Sequence, residues 1–350
     1  MAGRTNRVSL GSLVRDGFGE IVIGQDNPVY RDVTLVGTPG VQSGISIKVA
    51  DCFTGELTLE NASLSGGGET GCPAIDIGQD ATIKLILKGE NTLENGGIRV
   101  PSFSMLEIEG TGSLEIDLDD EEFYGIGNSL GESNGSITFA QSGEIKIDAI
   151  GKKGVCIGSG LGGSMELRDG KFTFEVSSDM SVCIGSIGGE VNLDIHDCKV
   201  NANMIGIKGA CIGSIEGKTT KIVSENAELS GQIEVGEFVF IGSMAGENVK
   251  ADIWGIRSEV TIRSDVATFA GAIKGSGDMR FDSIRADIHI YGSHARFLGG
   301  EKDNWADLVG SDVTLDIETK LDKEDVFSKE VMDIVNTKFS VKMNGKETEL

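Results

Sequence analysis

Five carboxylates crowd into six residues at Asp117-Leu-Asp-Asp-Glu-Glu122. Hard oxygen ligands held in one loop are the chemistry of Ca²⁺. Asp117, Asp119, Asp120, Glu121 and Glu122 are therefore candidate ligand-binding residues, and Asp119, Asp120 and Glu122 are the candidate Ca²⁺ ligands. The run has no glycine at the needed turn and no regular ligand spacing, so a solvated loop is the competing reading. Cys156, Cys183 and Cys211 each precede an Ile-Gly-Ser triplet. Converging thiolates could hold a soft metal, but a straight row of them converges poorly. The serines of those triplets recur in copy after copy, as a corner hydroxyl ladder would and a single nucleophile would not.

Other constellations are weaker. Gly158-Ser-Gly-Leu-Gly-Gly163 matches G-x-G-x-x-G, yet Met165–Arg168 after it alternates as a strand where a dinucleotide site needs a helix. Nucleotide binding is excluded on that ground. His196, His289 and His294 have no partner that spacing can place, and surface positions are the default. Arg257, Arg263, Arg280 and Arg285 are basic candidates for a polysaccharide lyase, with no catalytic signature around them.

The elements that must position these residues repeat. Ile126, Ile157, Ile184, Ile212 and Ile241 lie at the centres of related segments, 27 to 31 residues apart. Weaker copies occur around Ile77, Ile98, Ile273 and Val309. Between these anchors apolar residues alternate with polar ones, as in Lys171-Phe-Thr-Phe-Glu-Val176 and Val191-Asn-Leu-Asp-Ile195. Period-two alternation is the strand signature, and helical repeats of this length would show a 3.6 period. Three short strands and their corners fill each repeat. The spacing thus predicts an all-β, single right-handed parallel β-helix of about 9–10 coils, each 27–31 residues long. One coil cannot bury its inward side chains alone, so coils stack about 4.8 Å apart and pair every strand above and below.

Ile126, Ile157, Ile184, Ile212 and Ile241 should then form an interior ladder, with Gly158, Gly185, Gly213 and Gly242 as corner residues. Cys156, Cys183 and Cys211 form a second ladder, continued by Phe240. Strict alternation turns it outward unless the chain bends between Cys156 and Ile157. An outward stripe would need a cover, a partner groove or a metal. Residues 1–40 read as an N-terminal cap, 41–318 as the β-helix and 319–350 as a C-terminal unit. Within the last, Phe327, Val331, Ile334 and Val335 share one helical face, predicting an amphipathic helix over 321–335 docked on the solenoid, followed by a strand at 338–342.

The net charge is −24, with 51 glycines and 4 prolines. Such a polyanion repels nucleic acid and anionic lipid, so neither is an expected partner. No apolar run is long enough for a membrane-spanning helix, and the first residues lack the apolar core of a signal peptide. The six cysteines show neither a small-domain disulfide framework nor CxxC metal spacing.

Thr82, Ile83, Leu85, Gly89, Asn91, Thr92, Leu93, Ile98, Val100, Pro101, Leu106, Ile108, Gly110 and Leu114, together with the Ile-Gly-Ser coils, carry a resemblance. Over about residues 45–290 the chain resembles the β-helical carbohydrate-binding-domain proteins of bacterial cell surfaces. That resemblance implies a parallel β-helix and, as some members are thought to do, binding of acidic plant polysaccharide with Ca²⁺. The chain departs from the typical surface member in its fewer Thr and Asn and in its cysteine ladder. The expected function is non-catalytic binding or scaffolding along a solenoid face, for a polysaccharide or protein partner. Alternatives are a structural or assembly protein, such as an intracellular scaffold or a fibre component with oligomers possible, and a polysaccharide lyase or hydrolase.

Overall fold

The computed structural model describes residues 6–24, 32–66, 72–300, 304–327 and 332–349. Strand makes up 69% of it and helix 3%, arranged as a parallel β-solenoid of about 11 turns. Each turn contributes one strand to each of three sheets, in a fixed order. In one early turn, Ser46–Val49 lies in the first sheet, Thr54–Glu60 in the second and Ser63–Ser65 in the third. In the middle of the chain the corners are so regular that Lys171–His196 and Lys199–Glu225 run as continuous strands through all three.

The isoleucines stack in register. Ile21 pairs with Ile47, Ile47 with Ile75, Ile75 with Ile98 and Ile98 with Ile126. The column continues through Ile157, Ile184, Ile212 and Ile241 to Ala270 and Leu298. Ile126, Ile157 and Ile184 are wholly buried, and Ile212 and Ile241 nearly so. Inward side chains from the second and third sheets, such as Leu193, Ile222, Phe174 and Ala202, complete one continuous core. Burying a Leu, Ile or Phe contributes about 1.5–3 kcal/mol each, so the stack gains with every added coil.

The glycine after each isoleucine is required twice over. Gly185 has φ +141°, and a Cβ on it would lie 1.7 Å from the Gly213 carbonyl oxygen of the next coil. Gly158 repeats this with φ +127° and a 1.9 Å approach to Gly185.

The same corner decides the cysteines. The chain turns within Val155–Gly158, so strict alternation fails and Cys156 and Ile157 both enter the main core. Cys156, Cys183 and Cys211 are fully buried, and Cys183 Sγ lies 3.4 Å from Met204 Sδ. Phe240, Phe269 and Phe297 continue the row as stacked rings, 5.5 and 5.7 Å apart. Val155, Val182, Ala210 and Val239 face the other way. They are covered by Ile187, Ile215 and Met244, each directly after a corner serine, and by Ile273 at the matching position after Ala272, rather than by a terminal helix.

The N-terminal segment is built of solenoid strands. Asn6–Ser9 pairs with Asp32–Val36 in the second sheet, and Glu20–Ile23 with Ser46–Val49 in the first. A short helix, Leu10–Arg15, joins the first two and buries Leu10. These strands take the turn count past the expected nine or ten.

At the other end the expected helix over 321–335 is not formed. One helical turn spans Lys323–Val326, and Met332–Val335 is a strand paired with Asn304–Val309. Val331 lies outside the described residues. The last strand of the second sheet offers unpaired backbone groups, and β-branched Ile334 and Val335 suit a strand that pairs with them. The helical turn does dock: Val326 is buried, and the Phe327 ring sits 6.1 Å from Phe297 at the end of the aromatic row. The expected final strand is present as Lys338–Met343, and Lys346–Thr348 folds back antiparallel over it.

Candidate functional site

Outward side chains of a stacked solenoid form columns, one residue per coil. The most distinctive column lies on the third sheet. Lys171 stacks on Lys199, Lys199 on Glu228, Glu228 on Arg257, Arg257 on Arg285, Arg285 on Asp312 and Asp312 on Lys338. Beside it runs a second column through Asn201, Ser230, Glu259, Asp287 and Thr314. Together they line a shallow trough of about 810 Å³.

Five cations and two anions alternate imperfectly along the first column, and the imperfection matters. Lys199 pairs with Glu228 at 2.7 Å, Arg257 reaches Glu228 at 3.8 Å, and Lys338 reaches Asp312 at 3.7 Å. Lys171 turns to Glu144 of the preceding coil at 2.9 Å. These contacts hold the Glu144 and Glu228 carboxyls below the usual carboxylate range. For Glu144 the Thr173 hydroxyl acts first and Lys171 next, and for Glu228 the leading cause is Lys199. Two in-register neighbours nevertheless carry like charge, Lys171 with Lys199 and Arg257 with Arg285. Like charges directly opposite on neighbouring strands repel.

A contrasting column lies on the same sheet nearer the chain's start. Glu94, Asp117, Asp148 and Glu175 stack in four successive coils. Partial burial pushes the Asp117 carboxyl up, helped by Glu115 and Asp148, while Lys146 opposes the rise. Ile150 and Ile205 are exposed beside this column.

The acid run Asp117–Glu122 is divided by this geometry. Asp117 and Asp119 point outward from one strand of the third sheet, Asp120 and Glu121 sit at the corner, and Glu122 opens the next strand of the first sheet. Glu121 is ion-paired with Lys152. Among the described residues no group of three or more His, Cys, Asp or Glu is placed to hold a metal ion.

The remaining candidates fall as follows. Ser159, Ser186, Ser214 and Ser243 are fully buried. Ser159 Oγ donates to the Gly162 carbonyl at 2.8 Å and Ser214 Oγ to Ser243 Oγ at 2.8 Å, so these hydroxyls tie corners together. His196 lies between Asp194 and Glu225 on the second sheet, and His289 between Asp287 and Asp316 on the third. His294 contacts the Ser293 hydroxyl at 3.0 Å. Arg257 and Arg285 meet in the trough, Arg263 lies over the Tyr291 ring at 5.3 Å, and Arg280 is on the second sheet. The trough's other cations were missed by sequence reasoning. Their signal was a basic residue recurring at the head of five third-sheet strands: Lys171, Lys199, Arg257, Arg285 and Lys338.

No known protein family, curated protein or solved structure matches this chain.

Proposed function

We propose that this protein is a non-catalytic binding module that lays an extended acidic polysaccharide along the trough of the third sheet. The observation that carries this reading is the pair of like-charged neighbours, Lys171 with Lys199 and Arg257 with Arg285, on a chain of net charge −24. A carboxylate placed between two such cations relieves their repulsion and gains charge-assisted hydrogen bonds, and Arg donates to both its oxygens bidentately. The coil repeat of about 4.8 Å sets these groups in a straight row, which suits a regular polymer better than a compact solute. Ca²⁺ enters the reading at the acid column Glu94, Asp117, Asp148 and Glu175, where a divalent ion would bridge protein and polymer carboxylates.

Titrating polygalacturonate into the full chain, with and without Ca²⁺, tests both parts. Binding without Ca²⁺, weakened at least tenfold by the paired reversals Arg257→Glu and Arg285→Glu, supports the trough. Binding that needs Ca²⁺ and is lost in Asp117→Asn with Asp148→Asn moves the site to the acid column. No binding in either condition removes the proposal. A lyase or hydrolase needs basic and acidic groups along one solvent groove, and the trough sets Arg257 and Arg285 beside Glu259 and Asp287. Chain cleavage in the same samples would favour that second reading.

A further inference from the structure

Two outward positions of the third sheet break the polar pattern of their column. In register, that column runs Asp119, Ile150, Ser177, Ile205, Glu234 and Arg263. Ile150 is 54% exposed and Ile205 60%, so the core does not account for either. A single apolar residue on a surface needs no explanation, but two from one column that frame one groove do. The groove has a volume of about 380 Å³, sets Ser177 between the isoleucines and reaches the buried Val176 and Met204.

Its charge is of one sign. Asp148, Glu175 and Glu234 line it, and among the described residues no Lys or Arg does. Glu175 accepts a hydrogen bond from Asn203 Nδ2 at 2.8 Å. Lys146, the cation whose field reaches Asp148, is itself paired with Glu115 at 2.6 Å. Apolar contacts framed by carboxylates fit a partner that carries an apolar stripe bordered by Lys or Arg. An acidic polymer or an anionic lipid would be repelled, and a metal ion alone would leave the isoleucines uncovered.

The spacing says which kind of segment. Ile150 and Ile205 are two coil steps apart, roughly 9.6 Å at about 4.8 Å each. Residues seven apart in an α-helix are spaced by about 10.5 Å, whereas same-face residues of an extended segment recur every ~6.8 Å. We infer that this groove docks a cationic amphipathic helix of a partner protein, laid across the strands along the solenoid axis. Apolar residues seven apart rest on Ile150 and Ile205, and the bordering Lys or Arg side chains meet Asp148 and Glu175 on one side and Glu234 at the end. The groove lies over the far ends of third-sheet strands that begin at Glu144, Lys171, Lys199 and Glu228. It therefore stands apart from the cation column at their heads and does not depend on that reading.

Fluorescence anisotropy of a labelled Leu/Lys peptide, with its leucines on one helical face, titrated with the full chain in Ca²⁺-free buffer tests it. A peptide of the same composition, scrambled to remove the apolar face, is the control. The expected result is saturable binding of the first peptide, at least tenfold tighter than of the second. Ile150→Glu with Ile205→Glu should weaken binding at least tenfold, although the pair adds negative charge that simple attraction would reward. Ile150→Thr with Ile205→Thr keeps β-branching, so the strand is preserved. That pair should weaken binding at an unchanged melting temperature, which separates the lost contact from damage to the fold. The Arg257→Glu, Arg285→Glu chain should bind the peptide at least as tightly as the parent. Absence of binding overturns the proposal, as does equal affinity for the scrambled peptide. Binding that is as tight or tighter in the Ile150→Glu, Ile205→Glu chain overturns it too, because charge alone would then explain the association.

Discussion

A methyl group at Gly185 would press to 1.7 Å from a carbonyl oxygen of the next coil, on backbone that L-residues rarely adopt. Neither problem can be relaxed without moving two coils. Gly185→Ala is therefore expected to cost at least about 2 kcal/mol, read as a fall in the denaturant midpoint. Asp117 acts in the opposite sense. Its carboxyl lies above the usual range because partial burial disfavours the charge, with Glu115 and Asp148 adding to the effect. The folded chain holds this proton more tightly than the unfolded chain does. Asp117 thus weakens the fold above its raised pKa, and that penalty fades as pH falls through it. Asp117→Asn should raise the melting temperature at neutral pH by a small margin, under about 1 kcal/mol given its exposure, and the gain should shrink in acid. A melting temperature lowered at pH 7 would count against the stacking of Asp117 between Glu94 and Asp148.

At the scale of strands and corners, legibility follows local physics. The isoleucine ladder could be read because inward positions of stacked strands must be apolar and the period repeats in the text. The inward turn of Cys156 could not, since it depends on a corner inside Val155–Gly158 that alternation alone misplaces. The C-terminal segment misled for a related reason. Phe327, Val331, Ile334 and Val335 fit a helical stripe, but the exposed edge of the last second-sheet strand recruits Met332–Val335 as a strand. The trough was hidden because its residues are 26 to 29 apart in sequence and meet only through register. Burial of the thiol ladder is directly checkable. Burial raises the Cys183 thiol well above its ordinary pKa, with Cys156 and Cys211 adding to the rise, and pushes Cys198 up to about 12. Cys156, Cys183, Cys198 and Cys211 are buried, Cys52 is exposed and Cys72 partly so. A thiol reagent should label only Cys52 and Cys72 in the native chain, and all six after denaturation. Fast native labelling of Cys183 would contradict the inward ladder.

Across the whole molecule, stacking converts a repeated sequence into ordered outer columns of opposite character. One end of the third sheet carries stacked acids from Glu94 to Glu175, and the other carries the cation column from Lys171 to Lys338. Against a net charge of −24 the cation column is a local exception. If that column is a linear binding site, affinity must depend on ligand length in steps of the coil repeat. From Lys171 to Lys338 there are six coil steps, roughly 29 Å at about 4.8 Å each. The most direct measurement is the affinity of a graded series of oligogalacturonates for the full chain, at two salt concentrations. Affinity and its salt sensitivity should climb together with chain length and level off once the oligomer spans the column. Affinity that is the same for a dimer as for a long oligomer would contradict a linear site built from stacked coils.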